Sequence, residues 1–515
     1  MNILQVSRLC ALAPDASQES GSVAKRSNWK TACAFFLFAL AAIASPAQSF
    51  TTLASFDGAN GALPYYGALV QGFDGNLYGT TDEGGTNCAP YGCGTVFRIT
   101  PEGTLTTLYS FCAQSGCPDG EEPYAGVVQA TDGNFYGTTV YGGDHNSGTV
   151  FKITPQGTLT RLYSFCARSN CSDGANPIAG LVRAGDGNFY GTTAAGGAHD
   201  SGTVFKITQA GTLTTIYSFC AQAGCPDGEK PFAGLVQASD RNFYGTTTYG
   251  GSKGWGTVFK ITSLGTLTTL HSFCSETNCT DGWQGSGGLL QAPDGNLYGI
   301  TVLGGANCDP FGCGTVFKIT LGGTLTTLYR FCAQAGCADG AFPAALFQAT
   351  DGNFYGTTHD GGTHPSCNGG AGCGTIFKIT PRGALKTLHS FCARTNCLDG
   401  SFPQAGLVQA TDGNFYGTTF EGGTNGSGTV FSLSTGIGPF VETLPTHGKV
   451  GSHVAIRGTD LAGATAVTFN GTPATFSMLS STLIKTTVPE GATTGKVQVT
   501  TPGGTLTSRV AFRVR

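Results

Sequence analysis

Eighteen of the twenty cysteines fall in nine close pairs, the other two being Cys10 and Cys33 near the N-terminus. Six pairs recur at one position of a repeating pattern: Cys112 with Cys117, Cys166 with Cys171, Cys220 with Cys225, Cys274 with Cys279, Cys332 with Cys337, and Cys392 with Cys397. Three more, Cys88 with Cys93, Cys308 with Cys313, and Cys367 with Cys373, occur only where a glycine-rich loop is longer, so each arrives with the loop it can staple. An even count in paired spacing reads as local disulfides formed in an oxidising compartment. Each contributes about 2 kcal/mol in the chain-entropy account. Zinc is the competing chemistry, but the spacing is not CxxC and no Cys or His set in the sequence completes four ligands. No metal is expected.

Carboxylates recur as well. An Asp-Gly pair appears at Asp57, Asp119, Asp173, Asp227, Asp281, Asp339 and Asp399. Such a set suits calcium or a cationic or sugar ligand, yet an Asp of this kind also accepts backbone N–H bonds and shapes its own turn. Identical use in every copy favours the turn, and no EF-type or nonapeptide calcium loop is present. The expectation is therefore no cofactor, with calcium as the alternative. The histidines form no catalytic grouping: His271 and His389 stand where other copies have Tyr109, Tyr163, Tyr217 and Tyr329, and so read as packing residues. His145, His199, His359 and His364 read as loop residues. No HExxH or GxxxxGK sequence occurs.

The positions that differ between copies follow the YGTT-type segment: Asp82-Glu83, Val140-Tyr141, Ala194-Ala195, Thr248-Tyr249, Val302-Leu303, His359-Asp360 and Phe420-Glu421. Varied loops on a rigid scaffold are where binding usually sits, although drift in idle loops gives the same pattern. Trp283 stands in an Asp-Gly loop where other copies have Glu121, Ala175, Glu229, Ala341 and Ser401. It can stack on a sugar ring or fill the gap left by that loop's missing proline. The candidate ligand-face residues are thus Asp82, Glu83, Tyr141, Tyr249, Trp283, Asp360 and Glu421.

The elements that must position these residues come from a tandem repeat. Asp-Gly-Asn anchors and their variants begin at Asp74, Asp132, Asp186, Asp240, Asp294, Asp351 and Asp412, in steps of 58, 54, 54, 54, 57 and 61 residues. We call the seven units copies 1 to 7. Such a period signals a repeat architecture. In copy 2 four β-type runs, 125–130, 134–139, 148–154 and 158–165, are separated by Asp132-Gly133 and Pro155-Gln156-Gly157 turns. Their Thr, Val, Phe, Tyr and Ile suit a pleated surface. Six copies carry their own fourth strand; the seventh has none, and a matching segment, FTTLASF at 50–56, precedes copy 1. Lending the first strand to the last unit closes a ring and hides the open edges. The expected fold is all-β: a seven-bladed β-propeller over 48–435, closed by an N-terminal strand. Strand parity then puts all nine cysteine pairs on one rim and the tight turns on the other.

The segments DGN-[FL]-YGTT, GG…GTVFKIT and GTLTTLYSF, covering roughly 50–434, resemble the GloVer (gloeo/verruco) tandem repeat of bacterial exported proteins. That resemblance implies the architecture and no particular activity. From 436 the composition changes to short alternating strands with close turns, as in a small β-sandwich. Residues 471–476 (GTPATF), 487–504 (TVPEGATTGKVQVTTPGG) and 511–514 resemble an IPT/TIG immunoglobulin-like domain, which implies a spacer or binding accessory over 436–515.

Residues 1–47 read as a leader. Lys25, Arg26 and Lys30 precede an apolar run at 31–44 and a small-residue end, Ser45-Pro46-Ala47, in the order of a secretory signal peptide. That run is shorter than the roughly 20 residues needed to span a bilayer, so no transmembrane segment is expected in the mature chain. No surface anchor is expected after the last strand. With net charge −4 and only 11% charged residues, nucleic acid is not an expected partner. Together these features point to a secreted or cell-surface, non-enzymatic binding or adhesion protein, with carbohydrate as the preferred ligand or a cell-surface partner. The rivals are a polysaccharide lyase or hydrolase, with Asp82, Glu83, Asp360 and Glu421 assembled across copies, and a structural envelope protein.

Overall fold

The computed structural model describes residues 48–515, apart from 286, 309, 310, 365, 366, 368 and 369. The expected leader lies outside the described residues. Copy 2 shows how one unit is built. Its strands Val128–Gln129, Phe135–Thr139, Thr149–Ile153 and Leu159–Ser164 pair in order as an antiparallel sheet. At the first turn, Asp132 Oδ1 accepts from Asn134 N (3.1 Å), and Oδ2 from Asn134 Nδ2 and Tyr136 OH (both 2.8 Å). This explains why Asp, Asn and Tyr travel together in the repeat: the carboxylate ties the turn to the strand that leaves it. Gly133 supplies the positive φ of 84° that the turn requires. The second strand is buried throughout, and its last threonine meets the third strand's first one, Thr139 Oγ1 to Thr149 Oγ1, at 2.9 Å. Buried hydroxyls are thereby paired with one another.

Each copy contributes such a sheet. In copy 7 the strands Val408–Gln409, Phe415–Thr419 and Thr429–Ser434 are completed by the N-terminal strand Ser49–Ser55, antiparallel, with Ser49 opposite Ser434 and Ser55 opposite Thr429. The first strands are shorter than the sequence suggests, two paired residues in most copies against the six expected at 125–130. Copy 6 is the exception, with Ala341–Gln348 paired over eight residues.

Apolar cores lie between successive sheets. Between copies 1 and 2, Tyr78, Val96 and Phe111 pack on Val127, Phe135 and Phe151, and the Tyr78 and Phe135 rings are 4.1 Å apart. The fourth-strand phenylalanine meets the next copy's third-strand phenylalanine, as Phe111 meets Phe151 at 5.2 Å. Phe56, after the N-terminal strand, meets Phe97 at the same 5.2 Å, in a core that joins copy 7 to copy 1. Fully burying such a ring is worth about 1.5–3 kcal/mol. A cavity of about 120 Å3 is lined by residues of all seven copies, among them Tyr66, Ala125, Gly180, Gly234, Ala345 and Gly406.

The C-terminal region is a two-sheet sandwich. Val441–Leu444, His453–Gly458, Leu483–Thr487 and Phe476–Ser480 form one sheet; Thr472–Ala474, Ala466–Phe469, Val497–Thr501 and Gly504–Thr507 form the other. Val454, Ile456, Val467, Phe469, Ile484 and Val499 fill the space between them. The sandwich docks on the Asp-Gly-Asn side of the repeats. Thr482 Oγ1 donates to Phe73 O (2.9 Å), Thr411 and Thr459 hydroxyls are 2.8 Å apart, and His447 Nε2 donates to Gly185 O (3.3 Å). Arg509 lies 4.8 Å from the centre of the Phe347 ring. No helix among the described residues is long and apolar enough to cross a membrane.

Candidate ligand-binding face

The loops after the second and fourth strands lie at the opposite ends of the sheets from the docked sandwich. There, in copies 2 to 7, the residue following the Asp-Gly pairs, backbone to backbone, with the second varied residue of the same copy, and in copy 1 Ala62, four residues after Gly58, does so. In copy 2, Glu121 N donates to Tyr141 O (3.1 Å) and Tyr141 N to Glu121 O (3.2 Å). The equivalent rungs join Ala62 with Glu83, Ala175 with Ala195, Glu229 with Tyr249, Trp283 with Leu303, Ala341 with Asp360, and Ser401 with Glu421. Six of the seven sequence candidates therefore occupy one structural position, a rung whose chemistry changes from copy to copy. Asp82 is the residue beside it.

Exposure divides these candidates. Tyr141 and Glu421 are exposed, while Glu83, Tyr249 and Trp283 are half-buried. The Tyr249 ring carries Lys230 Nζ 5.8 Å from its centre. Asp360 is buried, 4% exposed, with His359 Nδ1 at 2.6 Å from its Oδ1. It supports the loop and is not displayed on the surface.

Two patches stand out. At copies 1 and 2, Asp82, Glu83, Glu121 and Glu122 lie close together beside tyrosines. Burial, with the charges of Glu122 and Glu83 adding to it, pushes the Asp82 carboxyl up to about 8. Burial also raises Glu83, Glu121 and Glu122 above the usual carboxylate range. Asp82 Oδ1 has no hydrogen-bond partner among the described residues. The Tyr65 ring lies 5.1 Å from Tyr124 and 5.4 Å from Phe420, and Tyr66 OH donates to Tyr65 OH at 3.3 Å. The second patch, at copies 4 and 5, is aromatic. Trp283 Nε1 donates to Phe311 O (2.8 Å), Trp255 stands edge-on to Trp283 at 4.1 Å, and Trp283 and Phe311 are nearly parallel at 6.3 Å. Trp255 and Phe311 are exposed. With its N–H committed, Trp283 supports a platform whose outward rings are Trp255 and Phe311. The sequence reading passed over both, along with Tyr65, Tyr66, Tyr124 and Glu122. Trp255 differs from the Ser147 and Ser201 of copies 2 and 3 at its register, which was the available signal.

The cysteines form nine disulfides, each within one of the pairs read from the sequence. One expectation is corrected: no four-ligand set was foreseen, yet three sets of four cysteines converge, their Sγ atoms within 4.8 Å of one another. These are Cys88, Cys93, Cys112 and Cys117, then Cys308, Cys313, Cys332 and Cys337, then Cys367, Cys373, Cys392 and Cys397. Loops far apart in sequence meet because both leave the same end of a sheet. Joined as disulfides, these sulfurs offer no thiolate to a metal. The other three disulfides stand outside these sets: Cys166 with Cys171, Cys220 with Cys225, and Cys274 with Cys279. Copies 2, 3 and 4 have the shorter glycine loop, which brings no second pair to meet them, so Cys171, Cys225 and Cys279 serve as staples of their own loops and do not join a larger cluster.

The Asp-Gly carboxylates accept hydrogen bonds within their own loops: Asp173 Oδ2 accepts from Tyr163 OH (2.7 Å) and Ala167 N (3.0 Å), and Oδ1 from Arg168 N (3.1 Å). His271 and His389 take the tyrosine's place, their Nε2 atoms lying 3.0 Å from Asp281 and 3.1 Å from Asp399. They are hydrogen-bonding partners as well as packing residues. His145 and His199 are exposed.

Tandem four-stranded antiparallel sheets followed by an immunoglobulin-like module define the class as an all-β repeat protein. A family model described as Gloeobacter/Verrucomicrobia repeat matches residues 38–184, 167–368 and 277–476, and an IPT/TIG domain model matches 439–514. The chain belongs to the Gloeobacter/Verrucomicrobia repeat family and carries a C-terminal IPT/TIG domain. No curated protein matches it. Similar solved structures include the extracellular domain of a candidate hybrid two-component system from B. thetaiotaomicron, 13% identical, TM-score 0.44, covering 90% of this chain and 57% of that one. A candidate 6-phosphogluconolactonase from Bacteroides uniformis is 16% identical, with TM-score 0.40 and coverage of 63% of this chain and 84% of the other. A luciferin-regenerating enzyme is 10% identical, with TM-score 0.38 and coverage of 76% and 98%. Likenesses this distant carry no argument about function.

Proposed function

We propose that the repeats form a seven-bladed β-propeller over 48–435, and that the protein is an exported, non-enzymatic binding or adhesion protein. Its carbohydrate ligand is held on the disulfide-bearing face. The ring reading is supported by the pairing of Ser49–Ser55 with copy 7 and by the cavity that all seven copies line. Export through a leader at 1–47 is supported by the nine disulfides, which belong to an oxidising compartment. One observation carries the binding reading: the sandwich covers the Asp-Gly-Asn side, while the free side displays rungs that vary in chemistry and the exposed rings of Trp255 and Phe311. Aromatic faces flanked by polar groups suit the C–H face and hydroxyls of a sugar.

The test is a glycan and polysaccharide binding screen with the wild-type protein and a Trp255→Ala/Phe311→Ala double variant. Binding that weakens by at least about tenfold, or 1.4 kcal/mol, supports the aromatic platform. Equal binding by the two removes it, and no binding by either favours a structural envelope role. The acidic patch favours a second reading, a polysaccharide lyase or hydrolase. A carboxyl pushed up to about 8 among other buried carboxyls has the poise of a general acid. Polymer turnover that disappears in Asp82→Asn would replace the binding-only reading.

A further inference from the structure

The Asp-Gly-Asn side holds a series of clasps between neighbouring copies. In copies 1, 4, 5 and 7 the glutamine that ends the first strand reaches into the preceding copy. Gln71 Oε1 accepts from Thr411 N (3.0 Å), Gln237 from Gly185 N (2.8 Å), Gln291 from Ser239 N (2.7 Å) and Gln409 from Thr350 N (3.0 Å). Gln129 occupies the same register in copy 2. Its Nε2 donates to Gly133 O (3.1 Å), as do the other glutamines at this register to the equivalent carbonyl. Its Oε1, however, is buried with no partner among the described residues, and the residue is only 6% exposed. By the pattern of the other copies, Gln129 should reach Phe73 N. At Phe73 the sandwich has engaged the chain instead, through Thr482 Oγ1 on the carbonyl.

A second unpaired group lies beside the first. In copies 3, 4 and 6 a third-strand lysine pairs with the turn aspartate: Lys206 with Asp186 (3.0 Å), Lys260 with Asp240 (2.9 Å) and Lys378 with Asp351 (2.8 Å). Copy 1 has Arg98 there, and its Nε is buried with no partner among the described residues. Gln129 and Arg98 line one cavity of about 580 Å3, which the sandwich closes with Leu479, Ser480 and Leu483. Native structures seldom leave buried polar atoms unpaired, and an unpaired donor and acceptor on one cavity wall point to an occupant.

We propose that this junction cavity binds a neutral saccharide of one or two rings. Its volume lies within the roughly 300–1,000 Å3 of small-ligand pockets, and polar groups converge on it between apolar walls. Asp74 and Arg98 both line it and their charges oppose each other, so no ionic ligand gains on balance. A hydroxyl both donates and accepts, so one ligand type answers the Gln129 acceptor and the Arg98 donor together. Leu108, Leu479 and Leu483 give the C–H face of a ring an apolar surface. Because its walls come from both the repeats and the sandwich, an occupant would also tie the two together. The site is separate from the loop-bearing face and does not depend on the reading of that face.

The experiment uses the full chain and calorimetric titration with methyl β-glucoside, methyl β-galactoside, cellobiose and maltose. The variants are Gln129→Leu, Gln237→Leu (same register, clasp closed) and Leu479→Trp, which fills the cavity from an exposed position. At least one probe is expected to bind wild type and Gln237→Leu alike, and to bind Gln129→Leu and Leu479→Trp at least tenfold more weakly. Should Gln129→Leu fail to fold, loss of binding in Leu479→Trp alone carries the proposal. It is overturned if no probe binds, which would leave a water-filled void, or if both variants bind like wild type. Binding lost only in Trp255→Ala/Phe311→Ala would likewise overturn it, while leaving the loop face standing.

Discussion

Asp82 keeps its proton to higher pH in the fold than an exposed carboxyl does. Its carboxyl titrates near 3.8 when unfolded and is pushed up to about 8 in the fold by burial and by Glu122 and Glu83. Between those values the folded chain holds a proton that the unfolded chain has released, so unfolding is favoured as pH rises. The stability present at pH 4 is lost progressively towards pH 8. Asp82→Asn should therefore match wild type in thermal unfolding at pH 4 and melt several degrees higher at pH 8; an unchanged difference across that window would refute the assignment. Arg241 offers a second test. It stands where six copies have glycine and is held at φ 68°, a region that costs a side chain about 1–2 kcal/mol. Arg241→Gly should stabilise the protein by about 1 kcal/mol, less what glycine's extra unfolded-state freedom takes back, as read by denaturant midpoint.

The strands and turns were legible because their causes are local. Asp132, Asn134 and Tyr136 are within four residues of each other, and buried second strands such as Phe135–Thr139 display their composition openly. What the sequence did not disclose are contacts between copies and between loops. The glutamine clasps join residues such as Gln237 and Gly185, 52 apart. The tyrosine or histidine that anchors six of the Asp-Gly loops stands ten residues before its aspartate. Asp360 looked like its counterparts, and only the longer strand of copy 6 sets it apart. Among the elements, the N-terminal strand offers the sharpest test. Phe56 is fully buried in the core that joins copy 7 to copy 1. Phe56→Ala should cost about 3–5 kcal/mol. A loss below 1 kcal/mol in chemical unfolding would mean that this contact does not hold the two ends together.

For the whole molecule, nine short-range disulfides staple loops at one end of the sheets, while the cores between sheets contain the aromatic stacking. Mild reduction should therefore lower the thermal midpoint and loosen the loop face, yet leave the β-sheet circular dichroism signal in place at 25 °C. Loss of that signal on reduction would move the source of stability from the cores to the staples. The pairing of Ser49 with Ser434 also has a consequence in time. These partners are 385 residues apart, and a chain grows from its N-terminus at about 5–20 residues per second. The strand that emerges first must wait about 20–80 s for its partner to be made. Throughout synthesis it remains an unpaired edge, open to other chains. Of all the steps in assembling this molecule, that final seam is the one a chaperone would have most reason to guard.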